Sequence, residues 1–140
     1  MQITRQADYA VRAVLFLARL GPDRMAATSA IAEDQRIPPS FLAKIVSQLS
    51  VAGLLKTSRG ARGGVSLARP AEEISLLEVV EAIDGPILLN ECVANNNNCE
   101  FRESCPMRLI WVDTQAELVG RLKTTTFDGL IEETPQTVTA

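Results

Sequence analysis

The sequence predicts a mainly α-helical chain with one small β-hairpin, arranged as a winged helix-turn-helix followed by a long C-terminal dimerisation helix. Three observations predict it. Apolar residues recur at helical spacing through 4–20, 40–52 and the run after Pro106. A single pair of short strand-like runs, 54–58 and 65–68, flanks a glycine-rich turn. The order helix, short helix, turn, helix, hairpin is that of a winged helix-turn-helix.

The first helix spans 4–20, where apolar positions 10, 13, 14, 17 and 11, 15, 18 form two adjoining stripes, and Gly21-Pro22 ends it. A short second helix fits 28–35, with Thr28 or Ser29 as its N-cap, and Ile37 follows in a tight turn. Pro38-Pro39-Ser40 opens the third helix, because proline suits a first turn whose N–H has no partner to lose. Its apolar face is Leu42, Ile45, Val46 and Leu49, and Gly53 sits at the C-cap. The hairpin turn is Arg59-Gly60-Ala61-Arg62-Gly63-Gly64. A fourth helix at 75–84 starts with the capping box Ser75-Leu76-Leu77-Glu78 and a staple of Ile74 with Val79, and Gly85-Pro86 stops it. After Pro106 comes a helix of about five turns. Ile110, Trp111, Leu118 and Leu122 share one stripe of it, which suggests a second copy of the chain as partner or folding back on the first helix.

These elements divide the chain into a winged helix-turn-helix at 1–84, a cysteine loop at 85–106, a dimerisation helix and end segment at 107–130, and a tail at 131–140. The 140 residues, 46% hydrophobic and 22% charged, describe an ordinary globular chain rather than a disordered one. No apolar run is long enough to span a membrane, and the N-terminus reads as neither signal nor transit peptide, so a cytoplasmic protein is expected. Histidine is absent, which removes Ser-His-Asp and Cys-His nucleophile systems and His-based metal sites. Aromatic residues, at 4%, are too few for a base-stacking platform.

Charge is split between the halves. Residues 1–70 carry ten Lys/Arg and four Asp/Glu, whereas 71–140 carry four Lys/Arg and thirteen Asp/Glu. A basic N-terminal half points to a polyanion partner, of which nucleic acid is the commonest. Ser40, Lys44, Ser47 and Gln48 form a small polar face on the third helix, suited to the major groove, with Ser40, Lys44 and Gln48 as the expected contacts. Arg59 and Arg62 stand on the glycine-rich hairpin with little bulk around them, a form that enters a narrow minor groove.

The three cysteines, Cys92, Cys99 and Cys105, fall within 14 residues. Such a clustered, odd set is a poor disulfide framework and too widely spaced for a zinc knuckle. It suits an iron–sulfur cluster, which takes ligands from longer loops, and Pro106 directly follows the last cysteine. A fourth ligand must be a carboxylate or an external group. Glu91, Glu100 and Glu103 are local candidates and Asp8 a distant one.

Taken together, TRQADYAVRAVLFLA, AGLLKTSRGARGGVSLARP, ISLLEVVEAIDGP and the three cysteines before CPMRLIW resemble the Rrf-two family of bacterial winged-helix regulators, from Ile3 to about Leu130. The resemblance implies a homodimer that binds palindromic promoter DNA and senses cluster status, iron supply, nitric oxide or redox state. Cys92, Cys99 and Cys105 match the family's cluster cysteines. An iron–sulfur member has a histidine three residues after its last cysteine; here that position is Arg108, so its 2Fe–2S ligation does not transfer intact. A nitric-oxide-sensing member uses an aspartate in a T-D-Y-A-like motif, matched here by Ala7-Asp8-Tyr9-Ala10. That match makes Asp8 the expected fourth ligand, supplied by the other subunit if helices are exchanged; its alternative role is to cap the first helix. A 4Fe–4S cluster is favoured over 2Fe–2S, since three thiolates and one weak oxygen donor leave one iron loosely held.

The expected function is therefore DNA-binding transcriptional regulation through a three-cysteine cluster site, not enzymatic catalysis. The alternatives are a cluster-free regulator working by thiol oxidation, or a winged-helix protein-binding adaptor.

Overall fold

A computed structural model describes residues 2–94 and 99–132. Among the described residues, helices α1 (Arg5–Leu20), α2 (Thr28–Gln35), α3 (Pro39–Val51) and α4 (Leu76–Asp84) surround one core. Strands β1 (Leu55–Ser58) and β2 (Gly64–Leu67) form the hairpin, and α5 (Pro106–Thr124) and α6 (Phe127–Glu132) complete the order. The mainly helical fold with one antiparallel hairpin is the winged helix-turn-helix expected.

Helix α1 lies at the centre. Ala7, Ala10 and Ala13 are fully buried along it, and such small side chains let α2, α3, α4 and α6 approach its backbone. Its cap is Thr4, whose Oγ1 accepts from the Ala7 N–H at 3.1 Å. Thr4 also donates to Asp84, from its N–H at 3.2 Å and its hydroxyl at 2.5 Å, which ties the start of α1 to the end of α4.

Helix α2 is capped by Ala27, not by Thr28 or Ser29. The reason lies in the hairpin: Ala26 bridges Val65, with N–H···O distances of 3.0 and 2.8 Å, so the chain stays extended until Ala27 and turns helical at once. Arg36, at φ 54°, ends α2 in the left-handed region, and the following turn sends Ile37 into the core. Helix α3 then buries Leu42, Ile45, Val46 and Leu49, the face read from its spacing. Burying each such side chain stabilises the fold by about 1.5–3 kcal/mol.

In the wing, Leu55 pairs with Leu67 and Thr57 with Val65, and Leu55 and Val65 are buried against the helices. The capping box of α4 is present as read, and Ile74 and Val79 are both fully buried at its start.

Helix α5 differs from the expected continuous run in its end. It stops at Thr124, because Thr125 turns extended and its carbonyl accepts from the Leu76 N–H at 2.8 Å. Three consecutive β-branched threonines, 124–126, favour that departure. Helix α6 follows, and its Phe127 is fully buried in the winged core. Folding back on α1 is thus done by α6; α5 packs on α4 and on the 3-10 turn Glu91–Val93.

Candidate functional site

Two groups of predicted residues occupy separate regions. On α3, Ser40 and Lys44 are exposed, and continuing their spacing leads to Ser47 and to Val51, which is 88% exposed. Gln48 lies on the flank of this face instead: it is half-buried, and its Oε1 is buried without a hydrogen-bond partner among the described residues. Ser47, present in the polar pattern, is the better-placed neighbour of Lys44, and strict i, i+4, i+7 counting from Ser40 is the signal that picks it out.

Arg59 and Arg62 are both exposed at the tip of the wing. The turn needs glycine for close backbone approach. A Cβ on Gly64 would stand 2.5 Å from the Ala26 carbonyl oxygen, and one on Gly63 would collide with the Ser58 carbonyl. The Gly63 N–H closes the turn on the Gly60 carbonyl at 2.9 Å. Among the described residues no carboxylate pairs with Lys44, Arg59 or Arg62; the ion pairs are Arg12–Asp8 and Arg69–Glu78. The basic charge of α3 and the wing is therefore available to an external anion.

The second group surrounds a cavity of about 520 Å³ whose lining includes Cys92, Cys99 and Cys105. Cys92 is half-buried on the 3-10 turn, Cys105 is half-buried as the N-cap of α5, and Cys99 is exposed. Backbone bonds within the 99–105 segment bring its ends round: Arg102 N–H to Cys99 O at 3.2 Å and Cys105 N–H to Phe101 O at 2.8 Å. Phe101, Met107 and Trp111 supply an apolar wall, although each is more than a third exposed. Residues 95–98 of the expected polar loop lie outside the described residues.

Of the carboxylates considered as fourth ligand, Glu91 lines this cavity, and Glu100, Glu103 and Asp8 do not. Asp8 is exposed on the first turn of α1 and ion-pairs with Arg12 at 3.1 Å, while the capping role belongs to Thr4. Within one chain, then, the structure gathers the three cysteines and leaves Asp8 apart. Among the described residues no three His, Cys, Asp or Glu groups close tightly enough to hold a single metal ion.

The profile of a family described as "Rrf2: Iron-dependent Transcriptional regulator" matches residues 3–133. The chain belongs to the Rrf2 family. This Rrf2 protein is 34% identical over 137 residues to Protein aau3 of Rhizobium meliloti (strain 1021), covering 97% of this chain and 88% of that one. Its fold is similar to that of CymR (YrzC), the global cysteine regulator of B. subtilis, with a TM-score of 0.80 at 24% identity, over 96% of this chain and 98% of that one. It is similar also to T. potens IscR, with a TM-score of 0.77 at 21% identity, over 100% and 93% of the two chains. This Rrf2 protein is thus a transcriptional regulator with a DNA-binding winged helix, and not an enzyme. None of its described helices is long and apolar enough to cross a membrane.

Proposed function

We propose that this Rrf2 regulator binds promoter DNA as a homodimer and senses iron–sulfur, iron, nitric-oxide or redox status through Cys92, Cys99 and Cys105. In this reading Ser40 and Lys44, with Gln48 at the flank, enter the major groove, and Arg59 and Arg62 reach the minor groove. The observation that carries the sensing role is the gathering of all three cysteines around one cavity.

The donor set suits an iron–sulfur cluster, preferably 4Fe–4S. Three thiolates are soft ligands of the kind such a cluster takes, and Phe101, Met107 and Trp111 give the cavity an apolar wall. When bound, such a cluster would supply iron that reacts with nitric oxide and oxygen. Asp8 of a second copy is the proposed fourth ligand, and Glu91 is the carboxylate that the same chain holds at the cavity. What the chain itself contributes is a connection. Cys105 is the N-cap of α5, and Cys92 lies on the turn that packs against α5, so a change at the thiols bears directly on that helix. A shift of α5 in a dimer alters the spacing of the two α3 helices, which must match half-sites about one helical turn apart.

The test is visible absorption with iron and sulfide assay on anaerobically purified protein. Any of Cys92→Ala, Cys99→Ala or Cys105→Ala is expected to abolish the cluster. Asp8→Ala is expected to retain it with altered absorption; the same effect from Glu91→Ala instead would move the fourth ligand into the chain. Protein that binds neither iron nor sulfide yet still regulates would replace the cluster by a thiol switch, a reading to which the exposed Cys99 lends itself.

A further inference from the structure

Among the described residues between Ile87 and Cys105 none is fully buried, and Cys92 is only half-buried against α5, so packing alone places this segment weakly. Two side chains of α5 reach back to this segment. The Arg108 Nε–H donates to the Cys92 carbonyl at 3.3 Å. The Gln115 Oε1 accepts from the Leu89 N–H at 3.0 Å. Arg108 and Gln115 are seven residues apart and so lie two turns apart on one face of α5. The partners run in the opposite order: the earlier helix residue takes the later loop residue. The segment 89–92 therefore lies antiparallel along the first half of α5, fastened at both ends.

We propose that Arg108 and Gln115 are positioning residues that clip the Cys92 segment to α5 and so fix Cys92 relative to Cys105. This rests on the reading of the three cysteines as one working site. Cys105 is already part of α5 as its N-cap. With the clips closed, Cys92 and Cys105 belong to one rigid body before any ligand arrives, and Cys99, on the exposed return of the loop, is the thiol that completes the set. The same position that lacks a histidine ligand thus has a different occupation: Arg108 holds the backbone of a cysteine, and its guanidinium adds positive charge beside the three thiols.

The clips can be tested on the reduced, metal-free full-length protein. Site-resolved alkylation by iodoacetamide, read by mass spectrometry, reports the thiols, and amide hydrogen exchange reports Leu89. Losing a hydrogen bond from a charged donor should raise local opening about tenfold. Arg108→Ala is therefore expected to speed alkylation of the half-buried Cys92 by about that factor, with the exposed Cys99 little changed. Gln115→Ala should accelerate exchange at Leu89, and Gln115→Glu, which keeps an acceptor oxygen, should restore protection. Unchanged Cys92 labelling in Arg108→Ala together with unchanged Leu89 exchange in Gln115→Ala would overturn the proposal. A visible circular dichroism spectrum after iron and sulfide reconstitution separates the two ideas. Wild type that takes up no cluster, with the clip effects present, sinks the cluster and leaves the clips standing. A wild-type cluster whose spectrum and stability are unaltered by either Ala variant, with no effect on labelling or exchange, sinks the clips alone.

Discussion

The winged body and the arm that carries the cysteines are held by different forces. From α1 to α4 each helix sends buried aliphatic side chains into one cluster, and the wing adds Leu55 and Val65. From Leu88 to Thr126, by contrast, no described residue is buried, and α5 runs its whole length with Met107, Leu109 and Ile110 about 60% exposed. The body is specified by packing, which is cooperative and insensitive to small changes at the surface. The arm is placed by the contact of α5 with α4 and by a few polar contacts, each modest in net worth, so its position is easily moved. A regulator needs both: a rigid part to present to DNA and a part whose position has not been settled by its own core.

The sharpest way to test that contrast is to attack the one side chain that the far end of the arm sends into the body. Phe127→Ala leaves a large void in the winged core and should cost about 3–5 kcal/mol, measured by urea denaturation. A cost under about 1 kcal/mol would mean that α6 is not part of the body. Next in size is the wing. Arg59→Ala should weaken operator binding by about 1–3 kcal/mol and reduce discrimination at A·T-rich flanks without moving the melting temperature. Wild-type binding itself should fall steeply with salt; a flat dependence would remove the electrostatic role of the +6 half.

Smaller again is the cap of α4. Ser75→Ala should cost about 1 kcal/mol of stability. Burial opposes ionisation of Glu78, but the bonds from Ser75 and the Arg69 guanidinium, 2.7 Å away, outweigh it and hold its carboxyl below the ordinary value. A lowered folded-state value stabilises the fold above the unfolded value, and that contribution is lost as pH falls through the folded one. Glu78→Gln should therefore narrow the stability difference between neutral and acidic buffer, seen in thermal melts from neutral pH to below pH 4.5. Smallest in stability is Ile110→Glu on the arm, expected to change unfolding by less than about 0.5 kcal/mol. Its effect should appear in sedimentation, as a shift of the proposed dimer toward monomer; unchanged mass would rule out this face as the proposed interface.

Much of this division is written in local sequence. Periodicity alone marked the buried faces of α1 and α3, because apolar spacing and core packing there express the same constraint. The Ser75–Glu78 box was equally plain, since all its partners lie within four residues. What sequence did not disclose depends on distant contacts. Ala27 caps α2 because Val65 holds its neighbour, and α6 exists because Ile74 and Leu76 offer backbone partners to residues 125–127. The same holds at the site. The cysteines announced themselves by rarity and spacing, whereas Arg108 and Gln115 are ordinary helix residues whose importance lies in where the chain returns. The chemistry of Gln48 suits the polar face, but one step of helical rotation turns its amide oxygen inward.

The return of Phe127 changes what kind of object the arm is. Both ends of α5 are moored: one through the segment that leaves α4, the other where Phe127 N–H meets the Ile74 carbonyl at 3.2 Å. Topologically the arm is an insertion into the winged body and not an appendage at its end. Cutting the chain after residue 84 would remove a keystone of the body along with the cysteine arm, so the shortest unit expected to stand by itself is a graft in which a brief linker replaces 88–124 and α6 is kept. In the intact protein a moored helix has fewer ways to move than a free one. It can swing about its anchors but cannot drift away, so on the proposed sensing role a disturbance at the cysteines would become a hinge-like displacement of defined direction rather than a loss of shape.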